Sequence, residues 1–394
     1  MTKALSTRAV RIGIDSDTAF GAVVPPLVLS ANFSFEHFGG KRRYDYTRSG
    51  NPTRDQLADV LASLEGGAGA VVTATGMAAI ALALHALVAP GDRLLVPHDC
   101  YGGSWRLFTA LAAKGQFELD SCDFTDEADF LDAIGRKPSV VWIETPSNPL
   151  LRITDIAAVS ASARNAGALV VVDNTFLSPA LQRPIEHGAD IVVHSTTKYI
   201  NGHSDVVGGA VIARDPALLE QLGWWANALG LTGSPFDSYL TLRGLRTLDA
   251  RLRIQQENCI AIAGLLREAP QVKAVHFPGL SDHPGHSTAT RQQDGFGAML
   301  SFELAGEEKA VRAFLGGLSC FTLAESLGGV ESLVAHPSTM THVAMSEDAR
   351  ARAGIGPGLL RLSVGIEHID DLLADVRSGL ERVSELAREA VDER

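Results

Sequence analysis

Lysine and cysteine are both scarce in this chain of 394 residues. The four cysteines lie far apart and form no CxxC pair, which favours reduced thiols and a cytoplasmic location over a disulfide framework. Residues 1–15 carry scattered charges and no apolar signal-peptide core, which also predicts a cytoplasmic protein. The sequence contains neither an internal repeat nor a low-complexity tract, so an ordered globular protein is expected.

Basic residues are also fewer than acidic ones, with 34 lysines and arginines against 46 aspartates and glutamates. The formal net charge is −12, and an acidic surface repels nucleic-acid phosphates and anionic lipid headgroups. The longest apolar run, residues 68–90, is interrupted by Thr75, Gly76 and His85, which predicts a buried strand followed by a helix instead of a membrane span. Neither nucleic acid nor a membrane is therefore an expected partner.

The chain length predicts two domains and an additional arm. Residues 1–60 are predicted to be an irregular arm, residues 61–256 a larger cofactor-binding domain, and residues 257–394 a smaller α+β domain. In the larger domain, continuously apolar strands alternate with helical patterns, which is typical of a mostly parallel sheet covered on both faces. The strands are predicted at 70–74, 93–97, 139–144, 168–173, 190–194 and 209–213, and a long helical stretch with a break near 244 is predicted at 234–269.

Candidate reactive groups follow these predicted strands, where open α/β sheets bind their ligands. Gly76 and Met77 open a helix whose backbone N–H groups could bind an anion. Tyr101 precedes two glycines and could stack on a planar ring. Asp173 closes a strand and could pair with a protonated pyridine nitrogen.

Lys198 differs from the other lysines because it directly follows a buried strand, among hydroxyl-bearing residues. A lysine in a low-dielectric pocket has a lowered pKa, and an unprotonated amine is the form that makes a Schiff base. The neighbouring Ser195 and Thr197 could donate hydrogen bonds to a phosphate. Each feature alone has an ordinary alternative: a strand-to-helix turn, a packed aromatic turn, a capping carboxylate, or a loop lysine reaching solvent. Together, at successive strand ends, they predict an aminotransferase-like enzyme with pyridoxal 5′-phosphate (PLP) as cofactor.

Longer motifs give the sequence a family resemblance. The run from Asp190 to Ser204, DIVVHSTTKYINGHS, resembles the signature of the Cys/Met-metabolism PLP enzymes. Further segments resemble the same family: Tyr46–Thr53, Glu65–Gly67, Thr75–Met77, Thr145–Pro149 and Val172–Phe176. The resemblance covers nearly the whole chain. It implies the α/β aminotransferase-like fold of PLP enzymes (fold type I), with a large, mostly parallel-sheet cofactor domain and a smaller α+β C-terminal domain.

The resemblance implies a role for each cofactor residue. Lys198 would hold PLP as a Schiff base and then move protons, Asp173 would pair with the pyridine nitrogen, and Tyr101 would stack on the ring and carry protons. The phosphate would be held by Gly76, Met77, Ser195 and Thr197, and by Tyr46 and Arg48 of a neighbouring subunit. The arm would thus complete a neighbour's site, and the assembly usual in the family is a homotetramer built from two dimers.

Within the family, the chain most resembles the bacterial cystathionine γ-synthases, in the segments His98–Ser104, Trp224–Asn227 and Phe296–Phe302. The implied reaction is γ-replacement, in which Lys198 removes the Cα proton of an O-acylhomoserine, the γ-ester leaves, and cysteine adds at Cγ. The product is cystathionine, an intermediate of methionine biosynthesis. The implied residues for these amino-acid substrates are Arg361 for the α-carboxylate, with Asn148 and Ser326 beside it, and Arg106, Asn227 and Glu325.

Other members of the family stay open as alternatives. Cystathionine γ-lyases and homoserine-ester sulfhydrylases share the cofactor residues, whereas β-lyases tend to carry a bulkier residue in place of Glu325. Succinyl-using relatives can carry a second arginine directly after Arg48, where this chain has Ser49, so both succinyl and acetyl esters remain candidates.

Three other classes of function have less support. A metal site at His283 and His286 is not predicted, because Pro284 and Gly285 separate them and no further ligand joins them. A nicotinamide dehydrogenase would need a GxGxxG motif at the first helix, which the sequence lacks. A PLP-binding scaffold without activity would not need the full set of substrate residues.

Overall fold

The structure, a computed structural model, describes residues 3–343 and 347–392. The chain forms two compact units. Unit 1 comprises Met1–Pro97, Leu107–Ile143 and Asp155–Asp249, and unit 2 comprises His98–Arg106, Glu144–Thr154 and Ala250–Arg394. Unit 2 thus includes two short segments from the first half of the chain. The domain limits at 60 and 256 stay predictions.

Helices and strands alternate through most of the chain. The helices are α1 (Leu5–Val10), α2 (Pro52–Glu65), α3 (Gly76–Leu87), α4 (Gly102–Ala113), α5 (Glu127–Gly135), α6 (Ile156–Ala166), α7 (Ser178–Leu181), α8 (Pro216–Leu229), α9 (Pro235–Leu245), α10 (Leu248–Glu268), α11 (His286–Gln292), α12 (Glu307–Leu315), α13 (Glu347–Ala353) and α14 (Ile369–Asp392). A short 3-10 helix covers Pro184–His187. The strands are β1 (Gly69–Thr73), β2 (Arg93–Pro97), β3 (Glu118–Cys122), β4 (Val140–Glu144), β5 (Leu169–Asp173), β6 (Ile191–Ser195), β7 (Gly209–Ala213), β8 (Val272–His276), β9 (Met299–Leu304), β10 (Thr322–Leu323), β11 (Leu333–Ala335) and β12 (Leu359–Ser363).

A seven-stranded sheet in the order β1-β7-β6-β5-β4-β2-β3 organises unit 1. β2 runs parallel to β3 and β4, and β5 runs parallel to β6. β7 is antiparallel to both β1 and β6, so β1 and β6 point the same way. The ends of β1, β5 and β6 therefore lie at one edge of the sheet, where parallel α/β sheets bind their ligands.

Two apolar clusters cover this sheet. In one, Leu57, Leu61 and Leu64 of α2 pack with Val192 of β6. The other includes Phe130 of α5 and Val159 of α6 together with strand residues from β2, β4 and β5. Burial on both faces explains why these strands are continuously apolar.

Unit 2 contains a five-stranded sheet in the order β10-β11-β12-β9-β8. β12 is antiparallel to both β11 and β9, which places Arg361 opposite Ala335 on one side and Ser301 on the other. Phe302 of β9 packs edge-on against Phe314 of α12, with ring centroids 5.3 Å apart. These neighbours bury the strand that carries Arg361.

The structure confirms the predicted α/β fold class, with a mostly parallel central sheet and a second, smaller sheet. The long helical stretch after 234 is two helices, α9 and α10. The region predicted to be irregular up to residue 60 instead contains α1 and ends where α2 begins at Pro52. Asn51 caps this helix by accepting hydrogen bonds from the N–H groups of Thr53 and Arg54 at 2.9 and 3.4 Å. Within residues 3–343 and 347–392, no helix is both long and apolar enough to span a membrane.

Candidate active site

The start of α3 lies against the end of β6. Thr75 caps α3 by accepting a hydrogen bond from the N–H of Ala78 at 2.9 Å. At Gly76, a Cβ atom would lie 2.7 Å from the Cβ of Ser195 and 2.9 Å from its Oγ. Because only glycine permits this approach, the backbone N–H groups at the start of α3 lie near the Ser195 hydroxyl, an arrangement that suits an anion. Met77, the next residue, is half-buried.

A chain of hydrogen bonds connects the ends of β5 and β6. The N–H of Thr175 donates to Asp173 Oδ1 at 3.0 Å, and the N–H of Ser195 donates to Thr175 Oγ1 at 2.9 Å. Burial raises the pKa of Asp173 above its ordinary value, against the opposing effects of Thr175 and the charge of His194. A carboxylate in such a position gains from a cationic partner.

Lys198 lies in the turn that follows β6. Its N–H donates to the carbonyl of Ser195 at 3.3 Å, and its carbonyl accepts from the N–H of Gly202 at 2.8 Å. The neighbouring Thr197 hydroxyl donates to the carbonyl of Gly208 at 3.2 Å and accepts from its N–H at 3.0 Å. These contacts fix the turn and leave Lys198 half-buried.

These residues of unit 1 fit PLP. A phosphate matches the glycine-lined surface at the start of α3, which a Cβ atom at Gly76 would fill. A pyridinium nitrogen matches the carboxyl of Asp173, whose raised pKa reflects burial. Lys198 carries the primary amine that a covalent attachment to the cofactor aldehyde needs.

A second group of predicted residues lies elsewhere on unit 1, on an exposed surface. Arg48 Nε donates to Asn227 Oδ1 at 2.9 Å, and the Arg48 guanidinium carbon lies 5.3 Å from the centroid of the Tyr46 ring. All three side chains are exposed in the chain. The structure therefore brings Tyr46, Arg48 and Asn227 together as a cationic and aromatic patch.

Unit 2 carries the predicted carboxylate-binding arginine. Arg361 is 3% exposed, its Nη1 donates to Asn148 Oδ1 at 2.9 Å, and its Nη2 donates to the carbonyl of Ser326 at 2.9 Å. Ser326 has a φ of +84°, in the left-handed region, which turns its carbonyl toward the guanidinium. These contacts orient the Arg361 guanidinium.

Charged groups of unit 2 surround Tyr101. The Tyr101 N–H donates to Glu144 Oε2 at 2.7 Å, which fixes the turn before α4. Burial raises the pKa of the Tyr101 phenol, the charge of Arg106 opposes this rise, and the charges of Glu325 and Glu144 add to it. The phenol is therefore protonated at neutral pH.

The His342 ring contacts the backbone carbonyl of Asn148. Its Nε2 lies 3.1 Å from the Asn148 carbonyl, and its Nδ1 lies 2.8 Å from Thr341 Oγ1. Burial and then the charge of Arg361 lower the pKa of His342 to about 4. At neutral pH the ring is thus uncharged, and Nε2 carries the hydrogen that the carbonyl accepts.

Several residues of these groups had no predicted role. Thr175, Glu144 and His342 act through backbone hydrogen bonds, and Thr175 lies inside a motif that the sequence had already singled out. The pair His283 and His286 serves packing: His286 stacks on Phe296 with ring centroids 5.4 Å apart, and its Nδ1 lies 2.8 Å from the Pro278 carbonyl.

The fold and these residues define a class of protein, the PLP-dependent enzymes of aminotransferase-like fold. The model of the Cys/Met metabolism PLP-dependent enzyme family matches residues 6–381, and the chain belongs to this family. The family prediction from the sequence is confirmed, as is PLP as the cofactor.

The chain is also similar to individual curated relatives and solved structures within this family. A cystathionine γ-synthase of Escherichia coli (strain K12) is 56% identical over 379 residues, 96% of this chain and 98% of the relative. The crystal structure of a cystathionine γ-synthase from Xanthomonas oryzae pv. oryzae, in complex with cystathionine, is 67% identical with a TM-score of 0.97, covering 98% of this chain and 100% of that one. A cystathionine γ-lyase from Lactobacillus plantarum, complexed with L-serine, is 40% identical with a TM-score of 0.93, covering 97% and 100%.

The contact between Gly76 and Ser195 makes Gly76→Ala a test of the anion surface. The added Cβ would lie 2.7 Å from Ser195 and push β6 away from α3, so we expect PLP to bind about tenfold or more weakly. Titration of the apoenzyme with PLP measures this. Gly223→Ala in α8 is the control, because its Cβ would meet nothing within 4 Å and should leave PLP affinity unchanged. Equal affinities in the two variants would refute the close-approach argument.

The lowered pKa of His342 predicts a pH-dependent stability. Between the ordinary value of 6.5 and the folded value of about 4, the unfolded chain binds a proton that the folded chain does not, so stability falls as the pH falls through this range. One proton corresponds to at most about 1.4 kcal/mol per pH unit. Unfolding of wild type and His342→Gln at pH 4.5 to 7 should show a shallower slope in the variant. His342→Phe, which also loses the donor, should lower stability at every pH; an unchanged slope in both variants would contradict the prediction.

Proposed function

We propose that the protein joins an O-acylhomoserine to cysteine by γ-replacement and so makes cystathionine for methionine biosynthesis. The observation that carries this proposal is the likeness to cystathionine γ-synthases, at 56% identity to a curated relative and 67% identity to a solved structure with cystathionine bound. Its partners would be small amino-acid substrates. Cystathionine γ-lyase activity is the second candidate, because a γ-lyase is 40% identical over 97% of the chain.

The predicted cofactor residues would prepare the substrate for loss of its Cα proton. When bound, PLP withdraws electrons from the substrate carbon. Asp173 would hold the proton on the pyridine nitrogen, because its buried carboxyl favours a cationic partner. The Lys198 amine would hold the cofactor and then take up the Cα proton, and the protonated Tyr101 phenol would stack on the ring and carry a further proton. The phosphate would be bound by Gly76, Met77, Ser195 and Thr197.

Substrate binding would depend on residues that are already oriented. Arg361 would take the α-carboxylate with its guanidinium held by Asn148 and by the Ser326 carbonyl, so little side-chain freedom is lost on binding. Glu325 would attract a substrate amino group, and Arg106, with Asn227, would bind the acyl end of the homoserine ester.

The preference for a succinyl or an acetyl ester would depend on how many cations lie near the acyl end of the substrate. The Ser49 hydroxyl donates to Asp45 Oδ1 at 3.0 Å and to the Tyr46 carbonyl at 2.8 Å. Hydrogen bonds from Lys41 and then Ser49 lower the pKa of Asp45 to about 2, so this carboxyl is ionised. Position 49 therefore stabilises the local turn and supplies no charge. A succinyl ester would rely on Arg106 and Arg48, and an acetyl ester would need neither charge.

We also propose a homotetramer built from two dimers, with residues 1–60 as an arm that reaches a neighbouring subunit. Phe20 and Phe38 of this arm are almost fully exposed in the single chain, at 93% and 105%, which favours burial against a partner. The patch of Tyr46, Arg48 and Asn227 would then complete the phosphate and substrate sites of the neighbour. The four cysteines, all among the described residues, form no disulfide, which supports a cytoplasmic location.

The choice of reaction is tested with three mixtures: O-succinylhomoserine plus cysteine, O-acetylhomoserine plus cysteine, and cystathionine alone. We expect cystathionine to accumulate in one or both of the first two, and no formation in the Lys198→Ala variant, because that variant lacks the amine that moves the Cα proton. Rapid cleavage of cystathionine to cysteine and 2-oxobutyrate, without synthesis, would favour the γ-lyase instead. Normal turnover by Lys198→Ala would refute the role of Lys198.

A mixed assembly tests the shared site. If Arg48 serves the neighbouring subunit, a dimer of one Arg48→Ala chain and one Lys198→Ala chain has one site with both changes and one site with neither. Co-expression of the two inactive variants should then restore about a quarter of wild-type activity with random pairing. Mixing the purified homo-oligomers without subunit exchange is the control. If activity stays at the level of the separate variants, Arg48 does not act in the neighbour's site.

A further inference from the structure

Glu65 and His194 form a fully buried pair in unit 1. Both side chains are 0% exposed, and His194 Nε2 lies 2.6 Å from Glu65 Oε1. The pair lies among apolar side chains, because Leu61 and Leu64 of α2 and Val192 of β6 belong to one hydrophobic cluster. A carboxylate in such surroundings is costly unless it has a specific partner.

The position of Glu65 adds to this cost. It is the last residue of α2, where the helix dipole disfavours an anion, and Gly66 ends the helix directly after it with a φ of +80°. Among the described residues, Glu65 Oε2 and His194 Nδ1 have no hydrogen-bond partner. An apolar residue at either position would suit the cluster better, so the stability of the core does not explain the pair.

Glu65 also connects the two chain segments that carry the cofactor residues. Its Oε1 accepts a second hydrogen bond, from Asn174 Nδ2 at 2.9 Å. Asn174 directly follows Asp173, and His194 directly precedes Ser195 in the segment that leads to Lys198. One carboxylate oxygen thus fixes the residue next to the predicted pyridine partner and the residue next to the predicted phosphate ligand.

Asn174 is held from its other side as well. Its Oδ1 accepts from Gln182 Nε2 at 3.0 Å, its Nδ2 also donates to the Gln182 carbonyl at 2.7 Å, and its backbone N–H donates to the Val193 carbonyl at 3.0 Å. Asn174 therefore has no freedom to follow a displaced Glu65 without breaking contacts to β6 and to Gln182. The hydrogen bond to Glu65 thus adds a side-chain link to the backbone pairing of β5 with β6.

We propose that Glu65 is a positioning residue for the PLP site, acting through His194 and Asn174 on the placement of Asp173 and Ser195. The charge of His194 also favours the ionised form of Asp173, which is the form that pairs with a pyridinium nitrogen. Glu65 in turn lies 2.6 Å from Nε2 of the His194 ring and fixes the orientation of that ring. The inference rests on the proposed roles of Asp173, Ser195 and Lys198.

The test compares two carboxylates at opposite ends of the same strand pair. Glu65→Gln removes the charge at the carboxyl ends of β5 and β6. Asp190→Asn is the matched control at the amino ends, where Asp190 Oδ2 accepts from the Val170 N–H at 2.9 Å and Oδ1 pairs with Arg214. Three quantities are measured in each variant: the PLP dissociation constant of the apoenzyme, the visible circular dichroism of the bound cofactor, and the thermal midpoint of the apoenzyme.

We expect Glu65→Gln to raise the PLP dissociation constant about tenfold and to change the circular dichroism of the bound cofactor. Asp190→Asn should lower the thermal midpoint and leave both cofactor readouts at wild-type values. Wild-type cofactor readouts in Glu65→Gln, or the same changes in Asp190→Asn, would overturn the proposal. If Glu65→Gln does not fold, Glu65→Asp keeps the charge at a shorter reach, and wild-type readouts there overturn it equally.

Lys198→Ala separates this proposal from the assignment of the site itself. If Lys198→Ala loses the covalent cofactor signal while Glu65→Gln keeps the wild-type PLP dissociation constant and circular dichroism, only the role of Glu65 is rejected. A wild-type cofactor signal in Lys198→Ala would instead reject the PLP site on which the role of Glu65 depends.

Discussion

The parallel pairing of β5 with β6 is the constraint on which the candidate site depends. In this register Asp173 lies opposite Val193, so the residues that follow the two strands leave the sheet at the same level. Parallel strands end at the same edge, and a short bridge of Thr175 then suffices to connect Asp173 with Ser195. A shift of one residue would move Asp173 to the other face and separate it from Ser195.

Backbone contacts, more than ion pairs, hold the reactive groups of both units in place. In unit 1, α3 approaches β6 at a glycine, and the turn around Lys198 is closed by hydrogen bonds to Ser195 and Gly202. In unit 2, Tyr101 is held by its own N–H, and Arg361 by one amide oxygen and one carbonyl. Neutral acceptors orient a guanidinium without cancelling its charge.

The sequence predicted candidate reactive residues, and it predicted fewer of the residues that hold them in place. Lys198 and Asp173 could be predicted because one follows an apolar strand and the other ends one. Asn148 lies in a motif of the family, and Arg361 was predicted from the family resemblance alone. Glu65 and His194 lie in quoted motifs, but their contact joins positions 129 residues apart, which no local pattern encodes.

The elements that were not predicted have equally physical reasons. β3 lies at the edge of the sheet and contains Glu118, Asp120 and Ser121, so the strand is only partly buried and its apolar pattern is weak. The start of α2 was not predicted because polar residues surround it. Pro52 is the first helical residue there and does not break the helix. In both cases tertiary context decided the structure.

Charge explains how an acidic protein can still select an amino-acid substrate. The net charge of −12 repels anions at a distance, so attraction to a carboxylate must come from nearby arginines. In unit 2, the charges of Arg106 and Arg361 and those of Glu144 and Glu325 all act on Tyr101. A surface with both signs suits a zwitterion better than a simple anion, because each charge of the ligand finds its opposite while like charges are repelled. Burial is the main cause of the raised pKa of the Tyr101 phenol, and the nearby charges of both signs shift that pKa in opposite directions, so the phenol stays protonated among them.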